Sequence, residues 1–162
     1  IINDIKSKKF EKIYFLHGEE SFYIDKITNE IIENALEKDK RDFNQTILYG
    51  KDSEAINIIS IAKEYPMMAE RRLVILKEAQ DLKSIEELTP YFENPSEQTI
   101  LVINYKHKKY DSRKKALKVA SKHGAVFKSD KVPEYKLVEW ISSFVQSIVF
   151  SQLKALHLSQ VH

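Results

Sequence analysis

The sequence contains no cysteine, and only three of its 162 residues are glycine. The lack of cysteine excludes disulfide bonds, thiolate metal sites and a cysteine nucleophile, and it is typical of proteins in the reducing cytoplasm. The shortage of glycine disfavours the glycine-rich loops that hold nucleotide cofactors. No apolar run approaches the ~20 residues of a membrane span, and the first ten residues lack the apolar core of a signal peptide. We therefore expect a cytoplasmic protein that makes no membrane contact.

The charges nearly cancel over the whole chain. Lysine and arginine number 26 against 24 acidic residues, so the net charge is only +2 and any basic surface must be local. Hydrophobic residues make up 43% of the sequence and charged residues 31%, which disfavours disorder and indicates a globular protein. The length suffices for one α/β domain. Because the first residue is isoleucine rather than methionine, we expect the chain to be part of a longer protein.

Five apolar segments have the length and composition of strands. Two of them, "RRLVILKE" and "QTILVINY", contain unbroken aliphatic runs, which are typical of strands buried on both faces of a parallel sheet. The predicted strands are 12–17, 41–50, 71–78, 98–105 and 125–129.

Segments with the apolar spacing of helices alternate with these strands. Ser21 and Ser53 are predicted to lie at helix starts, Pro66 to break the helix before it, and Gly124 to end another. The predicted helices are 1–10, 21–36, 53–65, 84–92, 112–123 and 133–150. The side chains expected to point inward from the last helix are Leu137, Val138, Trp140, Ile141, Phe144 and Val145. The alternation predicts a three-layer α/β/α fold around a five-stranded, mostly parallel sheet.

The stretch "IYFLHGEESFYIDKI" (13–27) has the strand, glycine and helix of a phosphate-binding loop. A Walker A loop also needs a second glycine and a Lys-Ser/Thr pair, which hold the phosphates and magnesium. Here Gly18 is followed by Glu19 and Glu20, whose charges would repel a phosphate. In a Walker B strand the aliphatic run is followed by an acidic residue, but here it is followed by Lys77, and Glu78 is displaced by one. The sequence therefore argues against an active ATPase or GTPase.

Other catalytic patterns are also missing from the sequence. It contains no Rossmann G-x-G-x-x-G loop, no G-x-S-x-G elbow and no paired histidines of a zinc site. A receiver-like signalling domain would need acidic residues clustered at the strand ends, where the third strand has Lys77 instead. We therefore predict no catalytic residue, no metal site, no cofactor and no small-molecule substrate.

A basic segment covers residues 106–122, where eight lysines and arginines accompany one acid, Asp111. Lys114, Lys118 and Lys122 recur every four residues and so share one side of a helix. Such a face suits contact with DNA phosphates or an acidic partner. The same pattern is also typical of an ordinary solvated helix face, opposite the apolar side of the helix, that has no binding function. The candidate contact residues are Lys108, Lys109, Arg113, Lys114, Lys118 and Lys122.

The segment "YPMMAERR" (65–72) places Met67 and Met68 directly after the proline that breaks a helix. Adjacent residues of a helix do not share a face, so at least one methionine is expected to be exposed unless the turn is irregular. An exposed methionine is an adaptable contact for a hydrophobic pocket. From the residues alone, filling of the core is the better interpretation and a protein contact is the alternative.

Taken in order along the chain, several of these segments resemble one known family. They are "GEES" after the first strand, "FNQTILYG", "YPMMAERRLVILKEAQDL", "YKHKKYDSRKKALKVASKHGAVFKS" and "VEWI". The set is similar to the delta subunit of bacterial DNA polymerase III, the clamp-loader subunit that opens the sliding clamp during DNA replication. The resemblance runs over about residues 1–146, the N-terminal part of that family.

The resemblance implies an AAA+-like α/β domain at 1–132 without a functional nucleotide site, and the beginning of a truncated helical lid at 133–162. It implies a subunit that is not an enzyme, whose clamp contact is made by a hydrophobic pair after a helix break. The motif places that pair at Met67 and Met68, flanked by Ala69, Glu70 and Arg71. The family often has Leu-Phe or a similar pair here, so Met-Met is a departure.

The implied partners are the sliding clamp and the other clamp-loader subunits, the latter through a C-terminal collar that this chain lacks. The resemblance changes the interpretation of "YPMMAERR" from core filling to clamp contact. A DNA-binding or protein-docking module that uses the basic 106–122 face is the alternative function.

Overall fold

The structure is a computed structural model that describes residues 1–160. It divides into two compact units, Ile1–Asp130 and Lys131–His162, and the second is described as far as Gln160. Among the described residues, none of the helices has the length and apolar character needed to cross a membrane.

The first unit is built on a five-stranded sheet in the order β2-β3-β4-β1-β5. All four neighbouring pairs are parallel, so the predicted α/β fold with a five-stranded sheet is confirmed. The strands are β1 (Ile13–Gly18), β2 (Gln45–Tyr49), β3 (Arg72–Lys77), β4 (Thr99–Lys106) and β5 (Ala125–Ser129).

Helices cover both faces of this sheet. In the first unit they are α1 (Ile2–Lys6), α2 (Ser21–Ala35), α3 (Arg41–Asn44), α4 (Ala55–Ala62), α5 (Thr89–Glu93) and α6 (Lys115–His123). Parallel strands need such crossover connections, which is why helices and strands alternate along the chain.

Alternate residues of the central strands enter two separate apolar cores. Phe15, Val74 and Ile103 point to the face covered by α4, α5 and α6. Leu16, Ile75 and Val102 point to the opposite face, which α1 and α2 cover. Each buried aliphatic side chain stabilises the fold by ~1.5–3 kcal/mol relative to an exposed one. The two-sided burial explains why β3 and β4 are continuously aliphatic rather than alternating.

The second predicted strand, 41–50, is too long. Only Gln45–Tyr49 is extended, and Arg41–Asn44 forms the short helix α3. The side-chain amide of Asn44 donates to the backbone oxygen of Lys40 over 2.9 Å and so closes this turn. Because this bond depends on one side chain, the apolar pattern does not reveal it.

Several predicted helix starts are displaced by one to three residues. The helix α4 begins after Glu54 rather than at Ser53, whereas α2 begins at Ser21 as predicted, with the Glu20 carboxylate as its cap. The predicted helix 84–92 is a 3₁₀ turn, Ile85–Leu88, followed by α5 with Pro90 in its first turn, where proline is tolerated. The predicted helix 112–123 begins only at Lys115.

The second unit contains a 3₁₀ turn, Glu134–Lys136, and one long helix, α7 (Leu137–Gln160). This helix continues ten residues beyond the predicted end at 150. The inward orientation predicted for its apolar side chains is wrong, since no described residue of α7 is buried. A single helix cannot enclose a core by itself. Residues 161–162, which the prediction places in the helical segment, lie outside the described part.

Candidate functional site

The turn between β1 and α2 consists of Glu19 and Glu20 alone. The Glu20 carboxylate accepts a hydrogen bond from the backbone N–H of Phe22 over 3.0 Å. The Ser129 hydroxyl donates to the Glu20 backbone oxygen over 2.7 Å, and the Glu20 N–H donates to the Ser129 oxygen over 3.3 Å. A phosphate-binding loop would direct the first N–H groups of the helix toward its ligand. In this turn the Glu20 carboxylate binds one of those N–H groups, that of Phe22, and the end of β5 binds the backbone of Glu20.

Charged side chains at the carboxyl ends of the strands pair with one another. The Lys106 ammonium lies 2.6 Å from Asp25 of α2 and 3.8 Å from Glu78 after β3. Lys109 lies 2.9 Å from Asp130, and this hydrogen bond lowers the pKa of the Asp130 carboxyl. These acids are therefore engaged by lysines rather than arranged around an open site for magnesium.

The methionine pair lies on an exposed turn between α4 and β3. The side chain of Met67 is 57% exposed and that of Met68 is 85% exposed. Met68 has a left-handed backbone with φ of +52°, so the turn is irregular rather than helical. Tyr65, just before Pro66, is also largely exposed. The structure thus places both methionines at the surface, which excludes the core-filling interpretation.

The backbone of this turn is bound by the side chain of Asn44, which is fully buried. The Asn44 Oδ1 atom accepts a hydrogen bond from the Met67 N–H over 2.6 Å, and its Nδ2 atom donates to the Met67 oxygen over 2.9 Å. One side chain therefore satisfies both backbone groups of Met67. The backbone is fixed to the core while the methionine side chain points to solvent.

Arg72, the first residue of β3, ties the same turn to its surroundings. Its guanidinium lies 2.6 Å from the carboxylate of Glu64, two residues after α4, and donates to the Phe43 oxygen over 3.3 Å. Arg72 is buried whereas Glu64 is largely exposed. The ion pair therefore links the two ends of the methionine turn.

The other three predicted contact residues continue the turn toward β3. Ala69 is half-buried and Glu70 is exposed, with its carboxylate 3.5 Å from the Arg71 guanidinium. Arg71 stacks over the ring of Phe10 at 4.8 Å from its centroid. Behind these residues lies a cleft of about 390 Å³ that also reaches Met68. All five predicted residues therefore form one continuous surface segment.

The predicted basic residues divide into two groups. Lys109 pairs with Asp130, and Arg113 pairs with Asp111 at 2.9 Å, which lowers the pKa of the Asp111 carboxyl to about 2. Lys108 lies over the ring of Tyr105 at 5.6 Å. These three side chains lie in the loop before α6 and are engaged locally.

Lys114, Lys118 and Lys122 are exposed and share one side of α6 and its N-terminal cap. Within the part of the chain that the structure describes, none of them has an acidic partner in ion-pair distance. Lys115, in contrast, lies 2.7 Å from Glu93. The opposite side of α6 buries Ala116, Leu117, Val119 and Ala120. The predicted basic ridge therefore exists, and its positive charges face solvent.

The loop that carries the first basic residues is anchored in the core at Tyr110. Its N–H donates to His17 Nδ1 over 3.0 Å, and its hydroxyl donates to the Glu86 carboxylate over 2.6 Å. Burial and the neighbouring Glu86 raise the pKa of the Tyr110 hydroxyl far above its ordinary range. Burial lowers the pKa of His17, so the imidazole is held neutral and accepts the bond.

Within residues 1–160, no group of three or more His, Asp and Glu side chains is placed to hold a metal ion.

A family model for the DNA polymerase III delta subunit matches residues 14–130, which is more than half of the chain. The chain belongs to the DNA polymerase III delta subunit family. DNA polymerase III subunit delta of Bacillus subtilis is 26% identical over 129 residues, which cover 74% of this chain and 37% of that protein.

Two solved structures have a similar fold. The DNA clamp loader delta protein of Bacillus subtilis matches with a TM-score of 0.75 and 21% identity, over 90% of this chain and 46% of that one. A DNA polymerase III gamma subunit-related protein from Thermotoga maritima matches with a TM-score of 0.53 and 18% identity, over 83% of this chain and 47% of that one. The delta-family chain thus spans less than half the length of each of these relatives.

The sequence of this delta-family chain did not reveal the residues whose hydrogen bonds fix its loops. Asn44, Arg72, His17 and Glu86 each bond a backbone or side-chain group far away along the chain. No motif or spacing rule singles out such residues. The available signal for Asn44 is a polar residue directly before an apolar strand, which is too common to identify a site.

Proposed function

We propose that this chain is the clamp-contacting part of a DNA polymerase III clamp-loader subunit, which binds and opens the sliding clamp during DNA replication. Membership of the delta family supports this role. The observation that carries it is the exposed pair Met67 and Met68 on a turn whose backbone is fixed by buried side chains. Ala69, Glu70 and Arg71 complete the contact surface.

The energetics of such a contact are sufficient for an anchor. Burial of both methionine side chains in a pocket contributes on the order of 2–5 kcal/mol before the costs of association. Methionine is unbranched and polarizable, so it adapts to a pocket that receives different side chains in other members. A fixed backbone with exposed apolar side chains therefore provides affinity without a large ordering cost.

The proposed subunit opens the clamp without a chemical step of its own. A protein that binds the open clamp more tightly than the closed clamp shifts the equilibrium by its difference in affinity. The β1–α2 turn supports a role without nucleotide, because the Glu20 carboxylate already accepts the Phe22 N–H at the start of α2, where a phosphate would bind. We therefore propose an accessory subunit rather than an enzyme.

Surface plasmon resonance with the cognate sliding clamp tests this function. We expect wild-type chain to bind with micromolar or tighter affinity, and a Met67→Ala/Met68→Ala variant to bind at least about tenfold more weakly, since ~1.4 kcal/mol is a factor of ten. Because both side chains are exposed, the variant should unfold at nearly the same denaturant concentration as wild type.

A matched control removes a comparable amount of exposed apolar surface elsewhere. Val138 and Leu153 of α7 are 74% and 60% exposed, and a Val138→Ala/Leu153→Ala variant should bind the clamp as wild type does. Failure of a folded wild-type chain to bind the clamp would contradict the proposed function. Equal loss in both variants would mean that the methionines are not the anchor.

The remaining assignments are also proposals that follow from the family. Residues 133–162 are the beginning of a helical lid, after an AAA+-like domain at 1–132. The other clamp-loader subunits are partners of the longer protein, and the cytoplasm is where it acts.

DNA contact through the basic ridge is a second candidate function. The observation that favours it is the side of α6 on which Lys114, Lys118 and Lys122 face solvent with no acid in ion-pair distance among the described residues. Lysines in such a row neutralise successive phosphates and release counterions. The dependence of DNA binding on salt concentration tests this candidate.

A further inference from the structure

Asn44 makes an unusual set of contacts for a residue in a four-residue helix. Its side chain is 0% exposed, and its amide makes three hydrogen bonds, to the Lys40 oxygen and to both backbone groups of Met67. A residue in a strand offers its neighbour the same combination of one acceptor and one donor. Asn44 therefore provides Met67 with a substitute for a strand partner.

Because of these bonds, the backbone and the side chains of the methionine turn lie in different environments. The Met67 backbone is bound to the core, while the Met67 and Met68 side chains are 57% and 85% exposed. Met68 has φ of +52°, a conformation that a non-glycine residue adopts at some cost and that surrounding bonds must maintain. Without Asn44, residues 65–70 would sample other conformations and would have to be ordered upon binding, which lowers affinity.

We propose that Asn44 is a positioning residue that presets the Met67–Met68 turn for docking into the sliding clamp. The inference rests on the proposed clamp contact and extends it to a residue that lies outside the contact surface. Asn44 itself touches no partner, because it has no accessible surface. Its effect on binding passes through the conformation of Met67.

The first measurement needs no clamp. The chain has only two methionines, so labelling with ¹⁵N-methionine gives two amide signals, both from this turn. In wild type we expect slow hydrogen exchange at the Met67 amide, which donates to Asn44, and fast exchange at Met68. Replacement Asn44→Leu keeps the approximate volume and removes all three bonds, so Met67 exchange should rise to the level of Met68.

The second measurement is clamp affinity by surface plasmon resonance, with all chains verified as folded. We expect Asn44→Leu to bind about tenfold more weakly, although Met67 and Met68 are unchanged. In the Met68→Ala background the same replacement should have a smaller effect, because residues that act through one turn are not additive.

A matched control distinguishes positioning from a general loss of stability. Thr28 is another buried polar residue, whose hydroxyl lies within hydrogen-bond distance of the Ile24 backbone oxygen, at 2.8 Å, and of the Asn104 side chain, at 3.0 Å. Replacement Thr28→Val removes these bonds without touching the turn. This variant should keep slow Met67 exchange and wild-type affinity.

A second variant, Asn44→Asp, serves if Asn44→Leu fails to fold. It keeps the acceptor for the Met67 N–H but loses both donors. We expect its affinity for the clamp to lie between those of wild type and the Met67→Ala/Met68→Ala variant.

Two outcomes would overturn the inference while leaving the clamp contact intact. One is wild-type affinity in an Asn44→Leu variant whose Met67 amide exchanges fast, and the other is unchanged Met67 exchange in that variant. A folded wild-type chain that does not bind the clamp overturns both proposals at once. The exchange measurement keeps these failures apart, because it reports on the turn in the absence of the clamp.

Discussion

His17 lies in the core at the end of β1, where a charged imidazole would lose its hydration. Burial is the main cause of its lowered pKa, the positive charge of Lys128 adds to the effect, and Asp130 opposes it. The neutral ring accepts the Tyr110 N–H at Nδ1. A protonated ring would present a second donor to that N–H and would break the anchor of the basic loop.

We expect the free energy of unfolding to fall as the pH decreases below about 6.5, the ordinary pKa of histidine. The folded pKa is depressed, so the unfolded chain binds a proton first, and the stability present above this pH is lost on acidification. Urea unfolding of wild type and a His17→Asn variant between about pH 7 and pH 5 measures this effect. Asparagine retains an acceptor but does not titrate, so its stability should depend less on pH.

Equal pH dependence in wild type and His17→Asn would show that other groups determine acid stability. Replacement Asp130→Asn provides a further check. It removes the negative charge that raises the His17 pKa in the folded protein, so the decline should still begin near the ordinary histidine pKa but should extend to lower pH in this variant.

At the scale of elements, the β1–α2 turn has the strand, glycine and helix of a nucleotide site, but its glycine is needed for a structural reason. Gly18 has φ of +142°, and a Cβ atom there would lie 2.0 Å from the Ser129 backbone oxygen. Glycine is therefore required because β5 passes close to β1, independently of any phosphate. This close approach also brings Ser129 to the Glu20 carbonyl.

Replacement Gly18→Ala should lower the free energy of unfolding by roughly 2–4 kcal/mol, since it combines an unfavourable φ with a backbone clash. Urea unfolding measures this loss. The neighbouring replacement Glu19→Ala is the control, because Glu19 is exposed and lies 3.9 Å from Lys109, and its effect should stay within about 0.5 kcal/mol. A Gly18→Ala variant as stable as wild type would mean that β5 moves aside without cost.

The elements that sequence reasoning located well are those with a periodic apolar pattern. The aliphatic runs of β3 and β4 report burial on both faces, and the structure confirms both strands. The pattern failed at 41–44, where the helix depends on the Asn44 amide, and at the start of α6, where Asp111 bonds Arg113 and Lys114 before the helix begins. Individual hydrogen bonds at element ends are invisible to periodicity.

At the scale of the whole molecule, the net charge of +2 conceals an uneven distribution. Three of the lysines and arginines near α6 neutralise acids: Lys109, Arg113 and Lys115. Lys114, Lys118 and Lys122 face solvent from one side of the helix. Of these two groups, Lys114, Lys118 and Lys122 are therefore the one suited to replace counterions on a nucleic acid.

If the ridge contacts DNA, the logarithm of the binding constant should fall linearly with the logarithm of salt concentration. Replacement of Lys114, Lys118 and Lys122 by glutamine should reduce this slope by about 2–3, since each phosphate contact contributes ~0.9 for duplex DNA. Fluorescence anisotropy with a labelled duplex between about 50 and 200 mM salt measures the slope.

The control for this prediction removes the same charge from the paired set, by replacement of Lys109, Arg113 and Lys115 with glutamine. A smaller change in slope is expected, because these cations already have acidic partners. An equal change in both variants would indicate diffuse attraction rather than contact through the ridge, and absence of DNA binding by wild type would refute the candidate.

The candidate site was predictable in part. The family resemblance located the methionine turn, and physical reasoning alone favoured the core for the same residues. Their exposure depends on the left-handed backbone of Met68 and on bonds from Asn44, which lies in a different element. Such a contact joins segments distant in sequence, and a single sequence carries no record of which segments meet.

The strand order has a consequence for how the protein is made. β1 lies between β4 and β5, so the first strand to leave the ribosome pairs only with the last two. β2 and β3 can join as soon as both are synthesised, while β1 has no strand partner until residue 106 has emerged and gains its second only with residues 125–129. Contacts between distant parts of a chain form slowly and leave apolar surface exposed meanwhile. A nascent chain halted after β3 would thus contain the paired strands β2 and β3 and an unpaired β1. We expect a chaperone to bind the chain in this state, because the apolar strand β1 has no strand partner.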